Sequence, residues 1–131
     1  MTPTVKFEGL TPNLLVADVM ASVAFYRDVF GFEVHLKVPA EPPYVFASLK
    51  RDGIEVFVNG ISTVRDEFPT LRTGDTSTLF IVVDNVDALF ESVKDRARIA
   101  MPLKNQFYGM REFAVFDPDG YLVTFAQPIR S

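Results

Sequence analysis

The sequence predicts an α+β protein built from two βαβββ modules in tandem, and three observations carry that prediction. Hydrophobic periodicity switches between two and about 3.6 residues in the same order in each half of the chain. An Asp-Gly turn closes a pair of alternating segments in each half, at Asp52-Gly53 and at Asp119-Gly120. A constant offset of 67 residues pairs Thr11 with Thr78, Val16 with Val83, Val19 with Val86, Phe46-Ala47 with Phe113-Ala114, and the two turns with each other.

Each element has its own signal. In TPNLLVADVMASVAFYRDVFGFEV a short apolar strand gives way after Asp18 to Val19, Val23, Tyr26 and Phe30 at helical spacing, and Gly31 stands where a helix C-terminal glycine belongs. FEVHLKV, YVFASLK and IEVFVN read as strands, with RDG between the last two as a hairpin whose Asp-Gly pair supplies positive φ. In the second half STLFIVVDN is a strand, and Val86, Leu89, Phe90 and Val93 form one helical face capped by Asn85. A strand around IAMPL follows, and then MREFAVF and YLVTFAQ joined by DPDG. The reading is one domain over 1–131, with a first module over 1–60, a polar linker containing one helical turn over 61–76, and a second module over 77–131.

Composition bounds the function. The chain has 131 residues, 48% hydrophobic and 23% charged, which fits a single domain with a real core. A net charge of -4 and the lack of any Lys/Arg run argue against a nucleic-acid or anionic-membrane surface. Without cysteine there is no disulfide framework, thiol nucleophile or thiolate metal site, which suits the cytoplasm. The N-terminus MTPTVKFEGL has no apolar signal core, and no stretch approaches the ~20 apolar residues of a membrane span. Ser-His-Asp sets, phosphate-cradling glycine loops and dinucleotide fingerprints do not occur. The expected setting is soluble and cytoplasmic, with no nucleic-acid or membrane partner.

Two stretches go further. VADVMASVAFYRDVFGF near the start and YGMREFAVFDPDGYLVTFA near the end resemble the vicinal oxygen chelate superfamily, through the patterns D…S..FY.D..GF and DPDGY. That superfamily includes glyoxalase I, extradiol dioxygenases, fosfomycin-resistance enzymes and bleomycin-resistance proteins, and the resemblance covers nearly the whole chain. It implies a cup-shaped sheet and, in the metal-dependent enzymes, a metal held by side chains from the first and last strands of each module, usually His or Gln and Glu. Carried over, those positions fall on Thr11 and Phe57 in the first module and on Thr78 and Thr124 in the second, with Glu55 the only acid nearby. None is a good ligand for a divalent metal. The single histidine, His35, matches no such position. The resemblance is therefore closest to the metal-free bleomycin-resistance type, with no cofactor, and it implies a homodimer whose cups are completed between modules.

Strand alternation sends Pro12, Leu14, Val16, Leu79, Ile81 and Val83 under the helices. The same parity turns Thr11, Asn13, Glu55, Phe57, Thr78, Phe80, Leu122 and Thr124 toward the cup. The resemblance adds Tyr108, since in bleomycin-resistance-type members an aromatic residue before a similar G..EF segment stacks on the ligand. Gly109 allows a bend, and Met110 adapts to ligand shape. Arg111 and Glu112 are adjacent and point to opposite faces, so one reaches the cup, and a bulge at Gly109 would exchange them.

The expected function is metal-independent sequestration of an aromatic or cationic amphipathic small molecule, such as an antibiotic. The alternative is a lyase, isomerase or dioxygenase with a nonstandard metal site and Glu55 or Glu112 as general base. Plainer readings stand beside these. DPDG lacks the further oxygen ligands of a calcium loop and reads as a hairpin turn. Phe25-Tyr26 reads as core, His35 as an exposed strand residue, and Glu112 as a solvated or salt-bridged carboxylate.

Overall fold

The computed structural model describes residues 4, 6, 8–74 and 77–130, so the first residues of the first module, the last two of the linker and Ser131 lie outside the described residues. The first module runs β1 (Asn13–Val16), α1 (Val19–Phe30), β2 (Glu33–Val38), β3 (Phe46–Arg51) and β4 (Ile54–Gly60). A one-turn helix, α2 (Ile61–Val64), follows in the predicted linker. The second module runs β5 (Thr78–Val82), α3 (Val86–Val93), β6 (Arg98–Asn105), β7 (Met110–Phe116) and β8 (Leu122–Pro128). Each module forms its own four-stranded sheet, ordered β1-β4-β3-β2 and β5-β8-β7-β6. In both, the first strand pairs parallel with the last and the other pairings are antiparallel. The α+β tandem architecture expected from the sequence is the one observed.

Local chemistry explains the helices. The Asp18 carboxylate accepts from the Ala21 N–H at 3.1 Å to open α1, and Gly31 closes it in the left-handed region at φ 72°. Asn85 does the same for α3, accepting from the Ala88 N–H at 3.2 Å. The buried stripe of α1 is Val19, Ser22, Val23, Tyr26 and Phe30, and Val86 and Val93 anchor α3.

Both helix-covered sheet faces feed one core. Phe30 of α1 meets Phe125 of the second sheet edge-on at 5.1 Å between centroids, and Phe113 stacks on Phe125 at 5.3 Å. Each such buried aromatic contributes about 1.5–3 kcal/mol. The two modules thus pack through their helix sides, and the opposite face of each sheet is left outward.

The DPDG turn ties the modules together. Asp117 Oδ1 accepts from the N–H groups of Asp119 and Tyr121, both at 2.9 Å, which folds the turn. Its Oδ2 accepts from the Tyr26 hydroxyl at 2.8 Å. Asp119 accepts from the Ala17 N–H at 2.7 Å and the Ser22 hydroxyl at 3.3 Å, and the Tyr121 hydroxyl donates to the Leu15 carbonyl at 2.8 Å. Both carboxylates are occupied by donors of the chain itself, so the segment is a turn and an inter-module clamp.

One predicted feature of the repeat is overturned. Four residues separate the paired Lys50 and Glu55 in the first hairpin, whereas five separate Phe116 and Leu122 in the second. The offset of 67 therefore holds for the first strands, the helix starts and the strands after the turns, but on β3 and β7 structural equivalence runs at 66, matching Ser48 with Ala114. Phe46-Ala47 and Phe113-Ala114 are not equivalent pairs: Ala47 and Phe113 face the core, while Phe46 and Ala114 lie on the outward faces. With a side-chain period of two, one extra turn residue exchanges the faces. Positive φ in the first turn also falls on Asp52, at 51°, whereas in the second it falls on Gly120, at 87°.

Candidate functional site

Register turns the outward faces into a map. Because Phe113 and Phe125 are paired and in the core, Met110, Glu112 and Ala114 on β7 and Thr124, Ala126 and Pro128 on β8 must point outward. Following the pairing across to β5 gives one row of Ala114, Thr124 and Phe80 and a second of Glu112, Ala126 and Val82. Phe80 and Val82 are 55% and 60% exposed, which leaves apolar surface open on this face.

The first module repeats the arrangement. Its rows are Ser48, Phe57 and Asn13, then Phe46, Asn59 and Leu15. Phe46 and Phe57 meet edge-on at 5.1 Å. The Asn59 amide donates to Asn13 Oδ1 at 2.7 Å, and the buried Ser48 hydroxyl donates to Glu55 Oε2 at 2.5 Å.

Of the adjacent pair Arg111 and Glu112, Glu112 is on the outward face. The β7–β8 ladder is unbroken from Met110 to Phe116, so no bulge intervenes, and Gly109, at φ 86°, belongs to the preceding turn. Arg111 is a correction to the predicted ligand set: its guanidinium lies on the helix side, gripping Asp87 of α3 at 2.9 to 3.2 Å and Asn105 at 3.1 Å. The hydrogen bond to Arg111 holds the Asp87 carboxyl below its ordinary range.

Glu112 is only 4% exposed. Its Oε1 accepts from the Tyr108 hydroxyl at 2.5 Å and the Gln106 amide at 3.3 Å, while Oε2 has no hydrogen-bond partner among the described residues. A buried acceptor left unpaired costs about 1–3 kcal/mol. Tyr108 is half exposed, and its hydrogen bond to Glu112 raises the phenol above its usual range. The Gln106 amide also reaches Met101 Sδ at 3.5 Å. Gln106, Ser48 and Val82 were not singled out from the sequence. Val82 was reachable by parity from Phe80; Gln106 carried no local signal.

The remaining predicted positions do not converge on a metal. Asn13 stands beside Phe57 and Phe80 beside Thr124, so Thr78 lies one row away, beside Leu122, and Thr11 precedes β1. His35 is exposed at the register shift between Val34 and Leu36. Among the described residues no three His, Asp or Glu side chains gather, and the aligned positions Thr11, Phe57, Thr78 and Thr124 carry only Thr and Phe. This donor set does not fit the divalent metal that the resemblance implies for the metal-dependent enzymes of the superfamily. A groove of about 820 Å³ lies elsewhere, between the modules, where Phe30 and Arg51 meet Ile81 and Leu89. Its floor is the shared core, whereas a single sheet face is one wall and encloses little until a second wall meets it.

Two βαβββ modules in tandem, each with its helix on one face of a four-stranded sheet and the other face left outward, define the class of fold. The chain belongs to the Glyoxalase/Bleomycin resistance protein/Dioxygenase superfamily, whose family model matches residues 10–125. It is 29% identical to a bleomycin resistance protein of Geobacillus stearothermophilus over 131 residues, covering 92% of this chain and 96% of that protein. Among solved structures it resembles a bleomycin-binding protein from bleomycin-producing Streptomyces verticillus complexed with copper(II)-bleomycin. That match has a TM-score of 0.66 at 28% identity and covers 98% of this chain and 100% of the other. TioX from Micromonospora sp. ML1 matches with a TM-score of 0.72 at 26% identity, covering 92% of this chain and 100% of that one. No helix among the described residues is long and apolar enough to cross a membrane.

Proposed function

We propose that this chain is a metal-independent, cytoplasmic small-molecule binding protein of the bleomycin-resistance type. It sequesters an aromatic or cationic amphipathic ligand against the outward sheet faces, in a homodimer where faces from two copies close into cups. The observation that carries the reading is the second sheet's outward face, which holds half-exposed Phe80 and Val82 and one nearly buried carboxylate, Glu112, contacted by half-exposed Tyr108. Asn13, Glu55, Phe57, Met110 and Thr124 complete the candidate contacts. The net charge of -4 favours cationic ligands, and relatives whose names record bleomycin resistance or binding support the ligand type.

A thermal-shift screen tests this, using divalent metals, bleomycin and a panel of flat or glycosylated antibiotics, because a ligand selective for the native state raises the midpoint. Stabilisation by a drug and by no metal is expected. Tyr108→Ala and Phe57→Ala should then weaken binding several-fold through lost aromatic contact. Stabilisation by one metal alone, with turnover, would hand the lead to the lyase, isomerase or dioxygenase reading.

A further inference from the structure

Glu112 is a carboxylate without a cation of its own. None of the ion pairs formed among the described residues includes it. The neighbouring Arg111 guanidinium is engaged with Asp87 and Asn105 on the opposite face. Lys104 stands across from Glu112 in the β6–β7 register, and no ion pair among the described residues joins the two. Its row neighbours Ala126 and Val82 offer no side-chain donor. Two neutral donors share Oε1 and none reaches Oε2, so this buried group is short of the donors a carboxylate demands.

Resting on the binding reading above, we propose that Glu112 receives a ligand nitrogen that is both charged and N–H bearing, a primary ammonium or an amidinium, and that Tyr108 is the cover displaced to admit it. The unpaired Oε2 calls for a donor as well as a charge, and an amidinium can span both oxygens. Tyr108 is the group suited to yield. Its ring is half exposed, while the turn beneath it is held by the Gln106 N–H on the Met110 carbonyl at 2.7 Å and the Gly109 N–H on the Gln106 carbonyl at 3.1 Å. The ring therefore leaves by side-chain rotation, with the backbone in place. Phe107 lies edge-on to it at 5.1 Å and is 98% exposed, so the turn shows two aromatic faces to an arriving cation.

Calorimetric titration with four naphthalene probes decides the matter: the 2-carboxamidine, the neutral 2-carboxamide, the 2-carboxylate and the 2-trimethylammonium salt. The amidine should bind at least about tenfold more tightly than the amide and the quaternary salt, the scale of a hydrogen bond to a charged group. Glu112→Gln should abolish that preference while amide binding persists. Tyr108→Phe keeps the ring but frees Glu112 of its hydroxyl, and should tighten amidine binding. Equal binding of amidine and amide by the native protein, or a preference that survives Glu112→Gln, overturns the proposal and leaves sequestration standing. Binding of no aromatic probe removes sequestration and the proposal together. Should Glu112→Gln fail to fold, the probe series on native protein and on Tyr108→Phe carries the decision.

Discussion

Tyr26 places a hydroxyl against a buried carboxylate, and the energetics of that contact are pH-dependent. Burial pushes the Asp117 carboxyl above its ordinary value, while the Tyr26 hydroxyl pulls the other way. An acid whose folded pKa is raised binds more protons in the native state, so stability falls as pH rises from the unfolded value through the folded one. Tyr26→Phe removes the stabilising donor and raises that folded pKa further, which widens the window. The expected cost is about 1–3 kcal/mol at neutral pH, and it should be smaller near pH 3, about one unit below the ordinary Asp value, where Asp117 is largely protonated in the unfolded state and, its folded pKa being raised, in the native state too. Urea unfolding at the two pH values checks this; a cost independent of pH would mean that Asp117 does not titrate against Tyr26.

Among the elements, the β7–β8 turn carries more of the fold than its length suggests. It receives the Ala17 N–H, the Ser22 hydroxyl and the Tyr26 hydroxyl, and the linker also closes on it. A Cβ added at Gly74 would sit 2.6 Å from the Asp119 carbonyl oxygen, at φ 84°. At Gly109 φ is 86° and nothing lies within 4 Å. Gly109→Ala should therefore cost only the left-handed strain, about 1–2 kcal/mol. Gly74→Ala should cost more, because backbone has to move. Thermal midpoints of the two variants give the order directly, and the reverse order would show that the linker does not rest on the turn.

At the scale of the whole molecule, the packing of the modules decides what is left for function. Their helix sides meet through Tyr26, Phe30 and Phe125, so both outward sheet faces remain without a covering layer in one chain. β1 and β5 each pair on one side only. Open faces and edges of this kind fit the proposed association of two copies. Light scattering on the purified protein should return twice the chain mass. Val82→Glu, which puts a charge on an exposed apolar face without touching the core, should shift it toward one chain mass with little change in midpoint. A native protein of single chain mass would remove the homodimer.

The sequence by itself determined the element types and their order, the helix caps at Asn85 and Gly31, the face assignments of β1, β4, β5 and β8, and the poor metal chemistry of the aligned positions. These are local properties, set by periodicity, by capping and turn residues, and by the identity of side chains at known spacing. Only the tertiary structure decided that Glu112 rather than Arg111 lies outward, that Phe46 is not the counterpart of Phe113, and that Gln106 shares a carboxylate with Tyr108. The first two depend on strand parity, which is fixed by ladder pairing with a distant strand and reverses with a single turn residue. The third depends on how the β6–β7 turn seats over β7. The role of DPDG is of the same kind: its turn chemistry is local, but its donors are Ala17, Ser22 and Tyr26 and the Tyr121 hydroxyl finds its acceptor at Leu15, all about a hundred positions away, and only the docking of one module on the other brings them together.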